Sequence, residues 1–426
     1  MKNVTELLKK ASGITNWRVT ENARDSYEVF YVHDSIETVR STSSADVSVT
    51  VYVDHDGKTG DSTFTVYSWM NEDDINRAID KAAARALLVS NEKFSLPPEG
   101  RLEAELPSNM SDTAPEEIAR MTAEAVLSAS RGIPGGTINA LEIFVYKTVL
   151  SVRNGNGLDK KQTTHRVMIE AIPTFTENGN SVELYEDYRF TSFDADKLRE
   201  EISGKMREVR DRFVARKPEV PLRTDVLLRS KEICWLFYDV TDDLDYSTVY
   251  RHYNLHSMGD DLQEGRTGDP VTVELCGMID GCDRSSYFDD DGLSLTDTRV
   301  IDRGVVSAYH GSNRFGQYMG VEKPTGVLPC MRLAPGSLGK EELESTDYLD
   351  VVSMSGIQID LFNDYLGGEI RLAYLVKDGK KTPVTGITMS GSLSSALRSA
   401  KLSKTICTDG GYEGPDRMLI RDFEIL

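Results

Sequence analysis

The sequence predicts an α+β protein: two α/β units of matching element order, then a mostly antiparallel β domain. Three observations carry that reading. The order strand, turn, strand, helix occurs twice in the first half. A proline-rich segment, Lys217-Pro218-Glu219-Val220-Pro221, separates the halves as a stiff linker would. Beyond it the chain becomes strand-rich and glycine-punctuated. The expected units are 1–95, 112–216 and 222–426, and 426 residues suit two to four such units.

A short helix around Glu6 to Ala11 precedes the first unit. Its first strand is Tyr27 to Val32, running on through Thr38-Val39-Arg40, and is rich in aromatic and β-branched residues. Val47, Val49, Val51 and Val53 then alternate with polar residues at the period of a half-buried strand. Asp56-Gly57 marks a tight turn, because both residues tolerate positive φ. Thr63 to Tyr67 follows, and Ile75, Ala78, Ile79, Ala82 and Ala86 fall at helical spacing.

The second unit repeats the order. A helix with Pro115 in its first turn and the stripe Ile118, Met121, Ala125 and Ala129 leads into a strand from Leu141 to Tyr146, continuing to Ser151-Val152-Arg153. A strand around Val167, Ile169 and Ala171, a turn at Asn178-Gly179 and a strand from Val182 to Phe190 follow. Leu198, Ile202, Met206, Val209 and Phe213 stripe the closing helix. Acidic residues gather at both closing-helix starts, Glu72-Asp73-Asp74 and Asp194 with Asp196, where they complement the macrodipole. Phe94 to Thr113, with Pro97, Pro98, Gly100 and Pro107, reads as the connector between the units.

In the second half, Thr298 to Ile301 and Val305 to Tyr309 flank Asp302-Arg303-Gly304, a three-residue hairpin in this reading. Glu369 to Val376 and Thr382 to Met389 flank a second hairpin at Asp378-Gly379-Lys380-Lys381. Leu393, Ala396, Leu397 and Ala400 share a helix face, and Met418 to Ile425 closes the domain. One or two helices are expected in all.

The formal net charge is −20, spread along the chain. Such a surface is repelled by nucleic-acid phosphates and by anionic membranes, so neither is an expected partner. The N-terminus has no apolar h-region and no stretch approaches the length of a membrane span. Five cysteines (Cys234, Cys276, Cys282, Cys330 and Cys407) form no C-x-x-C pair; the odd count points to free thiols in a reducing, cytoplasmic compartment.

Several ordered motifs resemble the TldD/PmbA family. Tyr287-Phe288-Asp289-Asp290-Asp291-Gly292 is similar to its acidic turn, and Thr298 to Val306, with Gly304, to its hairpin. Pro324-Thr325-Gly326, Ala334-Pro335-Gly336-Ser337 and Pro383 to Leu393, with Gly386 and Gly391, match three further segments in order. The family positions are thus Asp289, Gly292, Gly304, Thr325, Gly326, Gly386 and Gly391. The resemblance implies a pair of related subunits, TldD and PmbA/TldE, that dimerise around a cavity taking in unfolded peptide. Names in the family refer to modulation of DNA gyrase and to peptide maturation. The TldD type carries a zinc-peptidase motif, H-E-x-x-x-H, and a later Cys; the PmbA/TldE type lacks the histidines.

A hydrolytic zinc site needs about three protein ligands and an open position for water. The family motif is expected within Lys231 to Val240, which contains no histidine. By that resemblance the chain is PmbA/TldE-like: a non-catalytic subunit without its own catalytic, cofactor or metal residues, partnered by a TldD-type subunit that holds zinc, or by a second copy of itself. Two rival readings stand beside this one. His252 and His256, four apart and on one side if helical, could join Cys407 as a His/His/Cys zinc site in an active metallopeptidase; plainer roles are hydrogen-bonded histidines and a small buried cysteine. The chain could also be a non-proteolytic regulator of gyrase or of a toxin–antitoxin component. His33, His55, His165 and His310 are isolated, and Cys276 and Cys282 flank a glycine-containing loop. Asp289-Asp290-Asp291-Gly292 lacks the spaced carboxylates of a calcium loop and reads as a charged turn.

Overall fold

The computed structural model describes residues 4–426. The first half runs α1 (Val4–Lys10), β1 (Asn16–Val32), β2 (Ser35–His55), β3 (Lys58–Val66), α2 (Glu72–Ala86), β4 (Gly100–Glu105), α3 (Pro115–Ser130), β5 (Gly136–Asn154), β6 (Leu158–Glu177), β7 (Asn180–Glu183), β8 (Glu186–Phe190) and α4 (Ala195–Val214). Its eight strands form one sheet in the order β3-β2-β1-β5-β6-β4, with β7 and β8 also paired to β6. The two copies of the repeat meet at β1 and β5, antiparallel with Tyr27 opposite Val145. Of the stripes foreseen for α3 and α4, Ile118, Ala125, Leu198, Ile202, Met206 and Val209 are buried against this sheet with Val29, Ile143, Val167 and Ile169; Met121 stays half-buried, and Val126, not foreseen, joins the core. In the first copy Ile75, Ile79 and Ala82 of α2 pack with Val47, Val49 and Val51.

Three local expectations are corrected. Thr38-Val39-Arg40 does not continue the first strand. The chain reverses at His33-Asp34, where His33 takes φ +56°, and these residues lie on β2 opposite Glu28 to Phe30. No Asn-Gly or Asp-Gly pair marks that turn, so a single longer strand was the natural reading. The connector between the copies is not bare: β4 lies within it and pairs parallel with β6. The strand expected from Val182 to Phe190 is broken at Leu184-Tyr185 into β7 and β8.

The second half contains β9 (Leu222–Arg229), α5 (Ser230–Asp242), α6 (Tyr246–Tyr250), β10 (Val273–Cys276), β11 (Thr298–Asp302), β12 (Val305–Val306), α7 (Asn313–Tyr318), β13 (Cys330–Leu333), α8 (Lys340–Glu344), β14 (Tyr348–Met354), β15 (Gln358–Asp360), β16 (Tyr365–Lys377), β17 (Lys380–Val384), β18 (Ile387–Ser392), α9 (Leu393–Ser399), β19 (Lys401–Leu402), β20 (Ile406–Asp409), β21 (Tyr412–Pro415) and β22 (Arg417–Ile425). One sheet runs β12-β11-β10-β13-β21-β20, with β20 at its end. The other runs β14-β9-β22-β18-β16-β15, and β14 pairs with β16 as well, so five strands close on themselves. The helices number five among the described residues, more than the one or two expected, because α6, α7 and α8 are too short to show a periodic stripe. Both hairpins turn in two residues rather than three or four: Asp302 pairs with Val305 across Arg303 (φ +53°) and Gly304 (φ +94°), and Lys377 with Lys380 across Asp378-Gly379.

Helix α5 is buried between the two sheets. Ile233, Leu236, Phe237 and Val240, spaced i, i+3, i+4, i+7, are at most 2% exposed and pack with Val226, Met331, Tyr412 and Ile420.

Candidate functional site

A cavity of about 870 Å³ opens where the two halves meet. Its walls are Leu184 to Phe190, the outer face of α4, the first turn of α5, β20, and the chain leaving β14 as far as Ile357. The floor is a charged cluster held between α4, β9 and β14. Lys205 Nζ lies 3.1 Å from both Glu186 and Glu208, and Arg229 lies 2.6 Å from Glu208 and 3.6 Å from Asp350. Burial opposes every one of these charges. For Glu208 the facing Lys205 and Arg229 outweigh it and hold the carboxyl below its usual value. For Glu186 burial wins, and its carboxyl is raised despite Lys205.

The wall at α5 and β20 differs in chemistry. Trp235 stands 55% exposed on the helix. Cys407 of β20 packs against the helix start, bonded to Ser230. Burial pushes its thiol up, and that of Cys234 up to about 11. Both thiols therefore stay protonated at neutral pH, which makes them poor nucleophiles. Glu232, 8% exposed in the first turn of α5, enters no ion pair among the described residues, and burial raises its carboxyl. Folding thus favours its protonated form. That contribution is full below the ordinary glutamate value of 4.5 and is lost as pH rises through the raised one. Glu232→Gln is accordingly expected to raise the thermal midpoint at pH 8, with the gain shrinking toward pH 4.5; a loss of stability at pH 8 would contradict this assignment.

The histidines suggested by the sequence are elsewhere. Helix α6 ends at Tyr250, and His252 sits in a turn at φ +58°, so His252 and His256 do not share a helix face. His256 Nδ1 lies 3.0 Å from Asp243, which also accepts from the backbone N–H groups of Leu255 and His256. Among the described residues no group of three or more His, Cys, Asp or Glu side chains is arranged to hold a metal ion, and His252, His256 and Cys407 do not make one. The cleft lining offers one cysteine, Cys407, several carboxylates and no imidazole, and among the described residues no three of these are grouped to hold a metal, which does not fit a zinc site.

Two of the motif positions, Asp289 and Gly292, build a joint between the halves; the others shape the second half. Asp289 is 8% exposed; its carboxylate accepts from the backbone N–H groups of Asp291, Leu293 and Val327 at 3.0–3.1 Å. Gly292 sits at φ +81°, and a Cβ there would stand 2.3 Å from Leu158 of β6. Around this turn Arg18 pairs with Asp291, Lys160 donates to Ser294 at 2.7 Å and Gln162 to Ser286 at 2.8 Å. Thr325 Oγ1 accepts from Gly311 N–H at 3.0 Å, and Gly326 packs on Leu295 beside Asp289. Gly304 forms its hairpin turn and Gly386, at φ +68°, separates β17 from β18. A Cβ at Gly391 would meet the Phe423 ring at 2.5 Å. Sequence reasoning missed the cleft residues Trp235, Lys205, Arg229 and Glu208; the only signal available was the α5 stripe, which marks Trp235 as the outward residue.

This arrangement, a repeated α/β half locked by an acidic turn to a β half that buries one helix, defines a fold with known examples. Crystal structures of the same architecture include TldE from Thermococcus kodakarensis (TM-score 0.81, 14% identity, covering 99% of this chain and 99% of that one). Putative modulators of DNA gyrase from Bacteroides thetaiotaomicron VPI-5482 (0.82, 13%, 99% and 97%) and Thermotoga maritima MSB8 (0.80, 16%, 99% and 98%) share it. At these identities the likeness is one of fold. No curated protein sequence matches. Residues 238–426, the C-terminal part of the chain, match the family model of the PmbA/TldA metallopeptidase C-terminal domain, and that part of the chain carries a domain of this type. No helix among the described residues is long and apolar enough to cross a membrane.

Proposed function

We propose that this chain is the PmbA/TldE-type, non-catalytic subunit of a two-subunit peptidase. It holds unfolded peptide in the cleft beside α5, while a TldD-type partner carries the catalytic zinc. One observation carries the reading: α5, the helix where the family's histidines are expected, forms a wall of the cleft and contributes Ser230, Lys231, Glu232 and Trp235 but no imidazole. The cleft suits an extended chain. β20 ends its sheet, so among the described residues one of its edges has no neighbouring strand, and Cys407, Thr408 and Asp409 line the cavity. A peptide strand added there gains main-chain hydrogen bonds whatever its sequence. Trp235 offers an apolar face to side chains, and the paired charges of the floor solvate polar ones.

The test is hydrolysis of an unfolded peptide by this chain alone, by a TldD-type subunit alone, and by the two mixed. Cleavage is expected only where the TldD-type subunit is present, and faster in the mixture. Cleavage by this chain alone would overturn the proposal.

A further inference from the structure

In a chain of net charge −20, one cavity has cationic walls. It opens between the end of α4 and the β16–β17 hairpin, shares no residue with the cleft, and has a volume of about 820 Å³. Arg216, Lys217, Lys377 and Lys380 line it against a single acid, Asp378; four cations less one carboxylate leave a formal charge of +3. Among the described residues none of the four cations pairs with a carboxylate. Lys381, next to Lys380 but on the opposite face of β17, does pair, with Asp350 at 3.2 Å.

The fold sets these charges in place. Lys377 and Lys380 are direct partners across the turn at Asp378-Gly379, and like charges so opposed repel. Next along the same face, Leu375 stands opposite Thr382, and Val384 extends the apolar floor. The other wall is the chain leaving α4. Arg216 Nη1 donates to the carbonyls of Phe213 and Ala215 at 3.3 and 2.8 Å, and the carbonyl of Arg216 accepts from Thr385 N–H at 3.3 Å. Pro218 stiffens the segment just beyond. Apart from one bridge between Arg216 and Val384, the outer edge of β17 has no neighbouring strand among the described residues.

We propose that this cavity binds an acidic segment of another polypeptide, extended beside β17. Charge complementarity calls for an anion, since every free charge but one on the walls is positive. The placement of the donors selects its form. A compact phosphate is best held by converging backbone N–H groups, as at a helix N-terminus. Here α4 presents its C-terminal end, whose partial negative charge disfavours a dianion. The cations are instead spread along a strand and the segment facing it, with Val214, Leu375 and Val384 between them. Carboxylates and apolar side chains spaced along an extended chain match that spread, and the β17 edge supplies main-chain hydrogen bonds. A segment of about five residues, the length of β17, stays within the basic zone. A nucleic acid would carry its further phosphates onto the acidic surface outside it. The proposal does not depend on the reading of the cleft.

The test is fluorescence anisotropy of the full chain with a labelled hexapeptide of alternating Glu and Leu, beside the same peptide with Gln in place of Glu. The Glu peptide is expected to bind more tightly, and to weaken as salt rises. Lys377→Gln/Lys380→Gln should weaken it about tenfold and leave the Gln peptide unchanged. The thermal midpoint should not fall, because the change removes an opposed like-charge pair. Lys217→Gln, outside the hairpin, should act in the same direction, whereas Trp235→Ala in the cleft should leave the preference for Glu intact. Four results would overturn the proposal. They are equal affinity for the two peptides, an affinity untouched by the lysine variants, tighter binding of tripolyphosphate or a single-stranded oligonucleotide at the same lysines, and self-association of the chain that these variants abolish.

Discussion

Arg229→Ala is expected to destabilise the protein by about 3 kcal/mol, read as a lower urea midpoint. The guanidinium, 18% exposed, stands 2.6 Å from Glu208 and 3.6 Å from Asp350, whose side chains are 14% and 10% exposed. Removing one member of a buried ionic cluster leaves the remaining charges desolvated without compensation, which typically costs about 3–5 kcal/mol. The low end applies here, because Lys205 still reaches Glu208 and Lys381 still reaches Asp350 at 3.2 Å. Arg229→Ala combined with Asp350→Asn should lose less than the sum of the single changes, since the second change removes the charge the first strands. Simple additivity would mean the cluster is not coupled as its geometry indicates.

The second large effect concerns binding. Trp235→Ala is expected to weaken capture of an unfolded peptide about tenfold, with little change in stability. Truncating a central aromatic anchor commonly costs more than 1 kcal/mol of binding, and 1.4 kcal/mol is a factor of ten. Because Trp235 is 55% exposed, its removal leaves no core cavity. Anisotropy of a labelled peptide reads the affinity. An unchanged dissociation constant would remove the cleft from the account.

How far these features were legible differs by length scale. The long stripes of α2, α3 and α4 were plain, because each presents an apolar residue at every turn and meets a sheet that demands it. The alternating valines of β2 were equally plain. The reversal at His33-Asp34 was not, since it uses neither Gly nor Asn, and the sequence around it keeps a strand pattern on both sides. β4 was masked by the prolines and glycine flanking it. The motif positions were found by resemblance, but their physical role emerges only in three dimensions: Asp289 and Gly292 bring the second half against Leu158 and the β6 face of the first. The cleft was hidden for a different reason. Lys205, Glu208, Arg229 and Asp350 come from three separate elements, and a charge at each position looks like ordinary surface until the fold buries them together. The same limit made His252 and His256 look like a pair, because their spacing suggests one helix face only where a helix exists.

The central claim is that this chain provides a peptide-holding wall and no zinc site of its own. Zinc per chain, by elemental analysis of protein purified without chelator and without a histidine tag, tests it most directly. The account predicts a value near zero. A value close to one, abolished by His256→Ala or Cys407→Ala, would contradict it and make this chain a metallopeptidase in its own right.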